Sequence, residues 1–382
     1  VLVDLAYSSK RASTDLDQLV QDIERHGGAT LDLEVGNAPC PGDFKAFRGL
    51  RRMVREREPK VIHAHSSKAG ILARALSLTG TDATILYTPH AYYGSNPTGN
   101  RVRAFVFNTI ERAAGRFGVS INLNEAEARF AREHLRLPHG KQHVIPNGVD
   151  LRRFHSVESD ERRALREKHN LPVDAILLGT TGRATEQKDP VTLYRGLLAA
   201  MEKDERLHFY HLGWKGDEEL MREVDAMIEK SPAGDRIIRV PYTSDPAPHY
   251  QVLDAFVLAS KYEGMSYAVL EALSTGLPLI LTKAEGNQYL DRYRLPGLYW
   301  AEVEAPETLT DAIDQWRRSG QSTPLAEHSR VARTHFSRRA SCRRLALSYA
   351  QTMLHRRLHS MRTLLQSLQR PRIDPRLVRR SA

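Results

Sequence analysis

Two successions in which an apolar strand pattern alternates with an amphipathic helix pattern constrain this chain more than any other feature. The first runs from a strand near 1–7 through a helix near 13–26, a strand near 30–35 and a helix at 44–57 to a strand at 60–65; the second begins near 175 and ends near 300. Strand, helix and strand in that order imply a parallel sheet with helices on both faces. Two such series in 382 residues imply two Rossmann-like α/β domains, each large enough for its own core. The stretch from Pro146 to Ser159, with Asn147-Gly148 as a turn signal and a charged run behind it, reads as the linker. A cleft between the two domains would face the strand ends of both.

In open α/β sheets ligands bind outside the carboxyl ends of the strands, where the next helix offers free N–H groups to an anion. Two segments occupy such places in the second series. Ile176-Leu-Leu-Gly-Thr-Thr-Gly-Arg-Ala-Thr-Glu-Gln-Lys-Asp189 is an apolar strand that enters a turn at Gly182, with Arg183 and Lys188 beyond it. Two fixed cations at a strand end can neutralise a diphosphate, Arg as a fork and Lys as a point charge. The strand Asp254–Ser260 leads into Glu263-Gly-Met-Ser-Tyr-Ala-Val-Leu-Glu271. Carboxylates there suit neutral hydroxyls beside the anion, as on a sugar, so Glu263 is expected to hold such hydroxyls while the backbone of Gly264, Met265 and Ser266 faces the diphosphate. Exposed loop cations and solvated glutamates are the alternative. Tyr242, at the end of another strand, is placed near a nucleobase.

The two segments together resemble the donor half of a retaining glycosyltransferase of the GT-B fold, in the large bacterial family four (glycosyl transferases group 1). Further marks are Val61-Ile-His-Ala-His-Ser-Ser-Lys-Ala-Gly70, Tyr87-Thr-Pro-His-Ala91, Val144-Ile-Pro-Asn-Gly-Val-Asp150 with Phe154, and Ala272, Gly276 and Pro278. The resemblance implies transfer of a sugar from a UDP-, GDP- or ADP-sugar to a sugar or lipid-linked acceptor in cell-surface polysaccharide or lipopolysaccharide assembly. It makes Glu271 the ribose ligand and sets His90 beside the transferred sugar. His65, Ser66 and Lys68 fall on the acceptor side. The expected division is 1–155 as the acceptor domain, 156–335 as the donor domain, 336–358 as a helix crossing back, and 359–382 as a basic tail.

His63 and His65 share one face of their strand and could look like a metal pair, but nothing supplies a third ligand. No metal and no cofactor are expected. With Arg183 and Lys188 at the diphosphate, electrostatic stabilisation of the leaving group replaces a metal. The sequence offers no obvious pair of carboxylates to flank a scissile bond, so a hydrolase-type double displacement is not expected.

Composition limits the remaining classes. Apolar residues make up 41% and charged residues 27%, as in a soluble globular protein. No apolar run approaches the roughly 20 residues that span a bilayer. Two cysteines, Cys40 and Cys342, are too few for a disulfide framework, so a reducing cytosol is expected. The formal charge of +10 suits nucleic acid, anionic lipid or sugar nucleotides, but no nucleic-acid-binding module is present. Within 44–58, Phe44, Phe47, Leu50 and Val54 form a helical stripe with arginines around it. That stripe could lie on the inner face of an anionic membrane or pack on the sheet. The Arg-rich stretch beyond Leu358 is expected to be partly disordered, with membrane contact as its sharper role. In the crossing helix, Leu345, Leu347, Tyr349 and Met353 are the expected packing face.

Two departures from the family pattern stand out. Ala284-Glu-Gly-Asn287 replaces the usual glycine pair and adds the charge of Glu285 near the donor. The opening resembles the family's second strand, without the first strand and its Gly-rich turn, and suggests a chain truncated at its start. If Val1 is a true start, a non-catalytic sugar-nucleotide-binding or partner subunit becomes the competing function. A nucleotide-sugar epimerase fits the cleft but accounts less well for the glutamates.

Overall fold

The computed structural model describes residues 2–11, 14–36, 40–95, 99–320 and 324–369. Twelve strands are seen among them: β1 (Leu5–Tyr7), β2 (Thr30–Asp32), β3 (Val61–His65), β4 (Thr84–Thr88), β5 (Val119–Asn122), β6 (Gln142–Val144), β7 (Ile176–Thr181), β8 (Leu207–Leu212), β9 (Ile237–Val240), β10 (Ala255–Leu258), β11 (Leu279–Thr282) and β12 (Leu298–Ala301). All ladders are parallel, and helices alternate with strands in both halves. The N-terminal half holds a four-stranded sheet in the order β3-β4-β5-β6 and a separate β1-β2 pair.

The second sheet runs β12-β11-β10-β7-β8-β9, so consecutive strands proceed outward from β7 on one side and from β10 on the other. The reversal makes the junction of β7 and β10 the topological switch point, where a crevice opens above the strand ends. β10, Ala-Phe-Val-Leu, is a continuous apolar run and β7 opens on one, Ile176-Leu-Leu, because helices cover the two faces. Alternation then divides them: Leu177, Phe256 and Leu258 enter one core layer, and Leu178, Ala255 and Val257 the other. Pro190 starts the helix that follows β7, and Asp189 caps it by accepting the Thr192 N–H at 3.2 Å.

The chain passes between the halves twice, and the two passages lie side by side. Val149 and Ser337 form a parallel bridge: Val149 N–H donates to Phe336 O and Arg338 N–H donates to Val149 O, both at 2.8 Å. Arg338 also pairs with Asp150 at 2.7 Å.

The helix Arg338–Gln369 then lies along the first sheet, where Leu345 and Tyr349 pack on Leu86, Ile121 and Ile145. Leu347, expected on this face, is instead 54% exposed. Positions four apart share a helix face and positions two apart do not, so 345 and 349 turn 347 outward. The helix also continues through the segment expected to be tail, as far as Gln369; residues 370–382 lie outside the described residues. In the helix Gly42–Arg57, Leu50 is buried and Phe44 is 67% exposed, so the expected stripe is turned largely inward.

Candidate active site

Both segments singled out in the second half emerge at the switch point. After β7, the Gly182 N–H donates to Leu212 O at 3.0 Å, and the Gly182 carbonyl faces His211 Nε2 at 2.9 Å. Tyr194 OH lies 2.9 Å from His211 Nδ1. Burial pushes this histidine down to about 4, so at neutral pH it is uncharged; Nε2 donates to the carbonyl and Nδ1 accepts from the tyrosine. A buried, neutral ring thus fixes the turn. Arg183 projects from it, exposed and without a hydrogen bond or ion pair among the described residues.

Lys188 closes a short 3-10 turn and pairs with Glu263 Oε1 at 2.6 Å. Ser260 Oγ donates to the same oxygen at 2.7 Å, while Gln187 Nε2 stands 3.5 Å from Oε2. Oε2 is the oxygen left to accept a further hydroxyl. The Glu263 side chain is only 7% exposed, where an unpaired charge would be costly. Lys188 and Ser260 supply the compensation.

The next turn meets the N-terminal half. A Cβ on Gly264 would lie 2.8 Å from Ala91 N and 3.0 Å from Glu127 Oε1, so only glycine admits this approach. Asn124 Nδ2 donates to Gly264 O at 2.5 Å, and Asn147 Nδ2 to Met265 O at 3.0 Å. The Gly264 and Met265 carbonyls are held by the opposite half and the Ser266 carbonyl accepts the Leu270 N–H at 3.2 Å, while Gly264, Met265 and Ser266 keep N–H groups that make no hydrogen bond among the described residues. Ser266 is the N-cap of the helix Tyr267–Ser274. On that helix Glu271 accepts from Tyr250 OH at 2.7 Å; burial pushes its carboxyl up to about 7 against the opposing effects of Tyr250 and Arg153.

Across the cleft, β3 and β4 end together. His65 Nδ1 lies 2.9 Å from His90 Nε2, so one ring donates and the other accepts. Both rings open to the cleft, and the crowding of its walls holds their pKa values down. His90 and Ala91 have φ of 56° and 85°, a left-handed pair that costs about 1 kcal/mol or more per residue. Glu127 holds this turn, accepting the N–H groups of Ala91 and Leu123 at 2.7 Å each. Burial, with the nearby charge of Glu285, pushes Glu127 up to about 7 despite those bonds. Its position three residues after the N-cap Asn124 is a capping-box spacing, the sequence signal that could have found it.

His65, His90, Gly264, Met265, Ser266, Glu263, Lys188, Gly182 and Arg183 therefore lie around one cleft. The remaining expected members have other surroundings. Tyr242 is 60% exposed beyond β9, the edge strand two places from β7 and so about 10 Å from the switch point. Lys68 is only 15% exposed and pairs with Asp43 at 2.8 Å. Ser66, with φ of 80°, begins the helix after β3. His63 turns from the cleft, with Nε2 at 2.8 Å from Thr88 Oγ1 and Nδ1 at 2.7 Å from Tyr349 OH. Sequence reasoning missed Asn124, Glu127, Asn147, Gln187, His211 and Ser260; all but Ser260, three residues from Glu263, act through long-range contacts. Among the described residues, no three His, Cys, Asp or Glu side chains are grouped as metal ligands, and no helix is long and apolar enough to cross a membrane.

Residues 17–153 match the family described as Glycosyltransferase Family 4, and residues 175–318 match Glycosyl transferases group 1. The chain is 27% identical over 263 residues to the UDP-Gal:alpha-D-GlcNAc-diphosphoundecaprenol alpha-1,3-galactosyltransferase of Escherichia coli, a match covering 67% of this chain and 66% of that protein. Among solved structures, sucrose-phosphate synthase from Thermosynechococcus elongatus superposes with a TM-score of 0.71 at 18% identity, over 92% of this chain and 96% of that one. Anabaena Alr3699/HepE, in complex with UDP, superposes with a TM-score of 0.73 at 16% identity, over 91% and 100% of the two chains. Two parallel α/β halves, the switch-point cleft and both family matches agree: the chain belongs to the family-four, group-1 glycosyltransferases of the GT-B fold.

Proposed function

We propose that this protein transfers a sugar from a nucleotide diphosphate sugar, most readily a UDP-sugar, to an acceptor hydroxyl during assembly of cell-surface polysaccharide or lipopolysaccharide, with the anomeric configuration retained. The observation that carries this reading is Arg183, unpaired among the described residues, beside the Lys188–Glu263 pair at the switch point, with the Gly264 turn packed against His90 and Ala91. In this reading residues 1–155 hold the acceptor, 156–335 hold the donor and 336–358 cross back. The E. coli relative uses UDP-Gal and a diphosphoundecaprenol-linked acceptor, and Anabaena HepE binds UDP-glucose. Both support a UDP-sugar donor, and the first supports a lipid-linked acceptor.

The bond from the anomeric carbon to the diphosphate oxygen breaks as the acceptor oxygen bonds to that carbon, and the acceptor proton passes to a phosphate oxygen of the leaving group. Arg183, the ammonium protons of Lys188 not spent on Glu263, and the N–H groups of Gly264, Met265 and Ser266 stabilise the charge on the departing diphosphate. Glu263 Oε2 accepts a donor-sugar hydroxyl, and Glu271 accepts from the ribose. His90, uncharged at neutral pH, offers its ring dipole to the sugar. No step calls on a metal.

Turnover of a panel of UDP-, GDP- and ADP-sugars with lipid-linked acceptors tests this. Free nucleotide should appear with one donor, and Arg183→Ala should lower kcat by about 10²–10³ with the fold intact. Nucleotide binding without release from any donor would leave the protein a non-catalytic subunit.

A further inference from the structure

The helix Arg101–Ala114 is turned inside out. Surface helices normally bury an apolar stripe and expose their polar face. Here the buried face carries Glu111, which is 3% exposed, pairs with Arg74 at 2.7 Å and accepts from Tyr87 OH at 3.0 Å. Asn108 packs its amide against Gly94, and Phe107 stacks on Tyr93 with ring centroids 4.4 Å apart. The outward face carries Val102, 73% exposed, Phe105, 72%, Val106, 48%, and Ile110, 37%. Their spacing of three or four residues makes one continuous stripe. An exposed apolar stripe of this kind marks an interaction surface.

Charge identifies the partner. Arg101, Arg103, Arg112 and Arg116 flank the stripe and are exposed, while Glu111, the helix's one acidic residue, is buried. A second copy docking through the same face would set each arginine cluster against its own image, which like-charge repulsion opposes. An apolar stripe bordered by cations instead matches the boundary between anionic headgroups and acyl chains. We propose that the outer face of Arg101–Ala114 docks on an anionic lipid bilayer, with Phe105 and its neighbours inserted and the arginines at the headgroups. The turn Tyr93–Ser95, which packs on this helix, begins three residues after His90. On the functional reading above, docking would hold the acceptor side of the cleft at headgroup level.

The test is flotation of the full chain with phosphatidylcholine vesicles, with and without phosphatidylglycerol, together with sedimentation velocity in the absence of lipid. Binding should require phosphatidylglycerol, weaken with salt, and fall by at least about tenfold in Phe105→Ser/Val106→Ser. UDP affinity of that variant should be unchanged, which checks its fold independently. Equal vesicle binding by the variant would overturn the proposal, as would a monomer–dimer equilibrium that depends on Phe105 with no lipid binding. Transfer is scored separately. Phosphatidylglycerol-dependent flotation with no turnover from any donor would sink the functional reading and leave docking standing; turnover on a soluble acceptor without flotation would do the reverse.

Discussion

Glu271 and Glu263 have the same side chain and, eight residues apart, very different surroundings. Glu263 is ion-paired with Lys188, whereas Glu271 has a tyrosine hydroxyl and a more distant arginine, so burial dominates and pushes its carboxyl up to about 7. It is therefore partly protonated at neutral pH. Two ribose hydroxyls donating to it would favour the ionised form. UDP binding near pH 6.5 should then release a fraction of a proton, and affinity should rise as pH increases through 7. Calorimetry in buffers of different ionisation enthalpy would detect the release, and Glu271→Gln should abolish it. Residue identity made the two glutamates visible in the sequence. Their different surroundings depend on Lys188 and Tyr250, brought in from elsewhere in the chain.

Among the elements, β10 and β11 of the second half were the most legible part of the sequence, because a strand buried on both faces is a nearly unbroken apolar run. The turns above the strands were legible as to place but less so as to support. Gly182, Arg183 and Lys188 could be set after β7 by order alone, yet His211, which fixes Gly182, enters from β8. Tyr242 shows a different limit: it sits at a strand end, as expected, but on the edge strand, and strand order across a sheet is not written in local pattern. Gly286 shows how closely these turns pack. A Cβ there would fall 2.0 Å from Glu263 O and 2.6 Å from Gly264 O, both backbone atoms that cannot swing aside. Gly286→Ala should displace the 263–264 turn and lower kcat by about tenfold or more. The lesion should be local, with far-UV circular dichroism unchanged and kcat reduced beyond any change in UDP affinity.

At the scale of the whole molecule, titration is governed by histidines. Nine of them, His63, His65, His90, His143, His169, His211, His249, His328 and His335, have pKa values lowered, each chiefly by burial. A lowered folded-state value contributes stability that is present above the unfolded value of about 6.5 and lost as pH falls through the folded value. Glu127 and Glu271 act oppositely, since a raised carboxyl contributes stability below about 4.3 that is lost as pH rises to about 7. Nine groups outweigh two, so Tm should fall between pH 6.5 and 5, as scanning calorimetry would read. A flat Tm across that interval would show that the rings are hydrated in solution.

The side-by-side passage of Val149 and Ser337 also shapes how the halves can move. A single strand between two bodies acts as a swivel, free to twist and slide as well as to bend. Two strands tied by paired hydrogen bonds behave as a strap: flexing about the line they share is cheap, while twist and shear stretch one strand against the other. Any opening of the cleft would thus be confined to one coordinate, and closing would bring His90 back to the same register against Gly264.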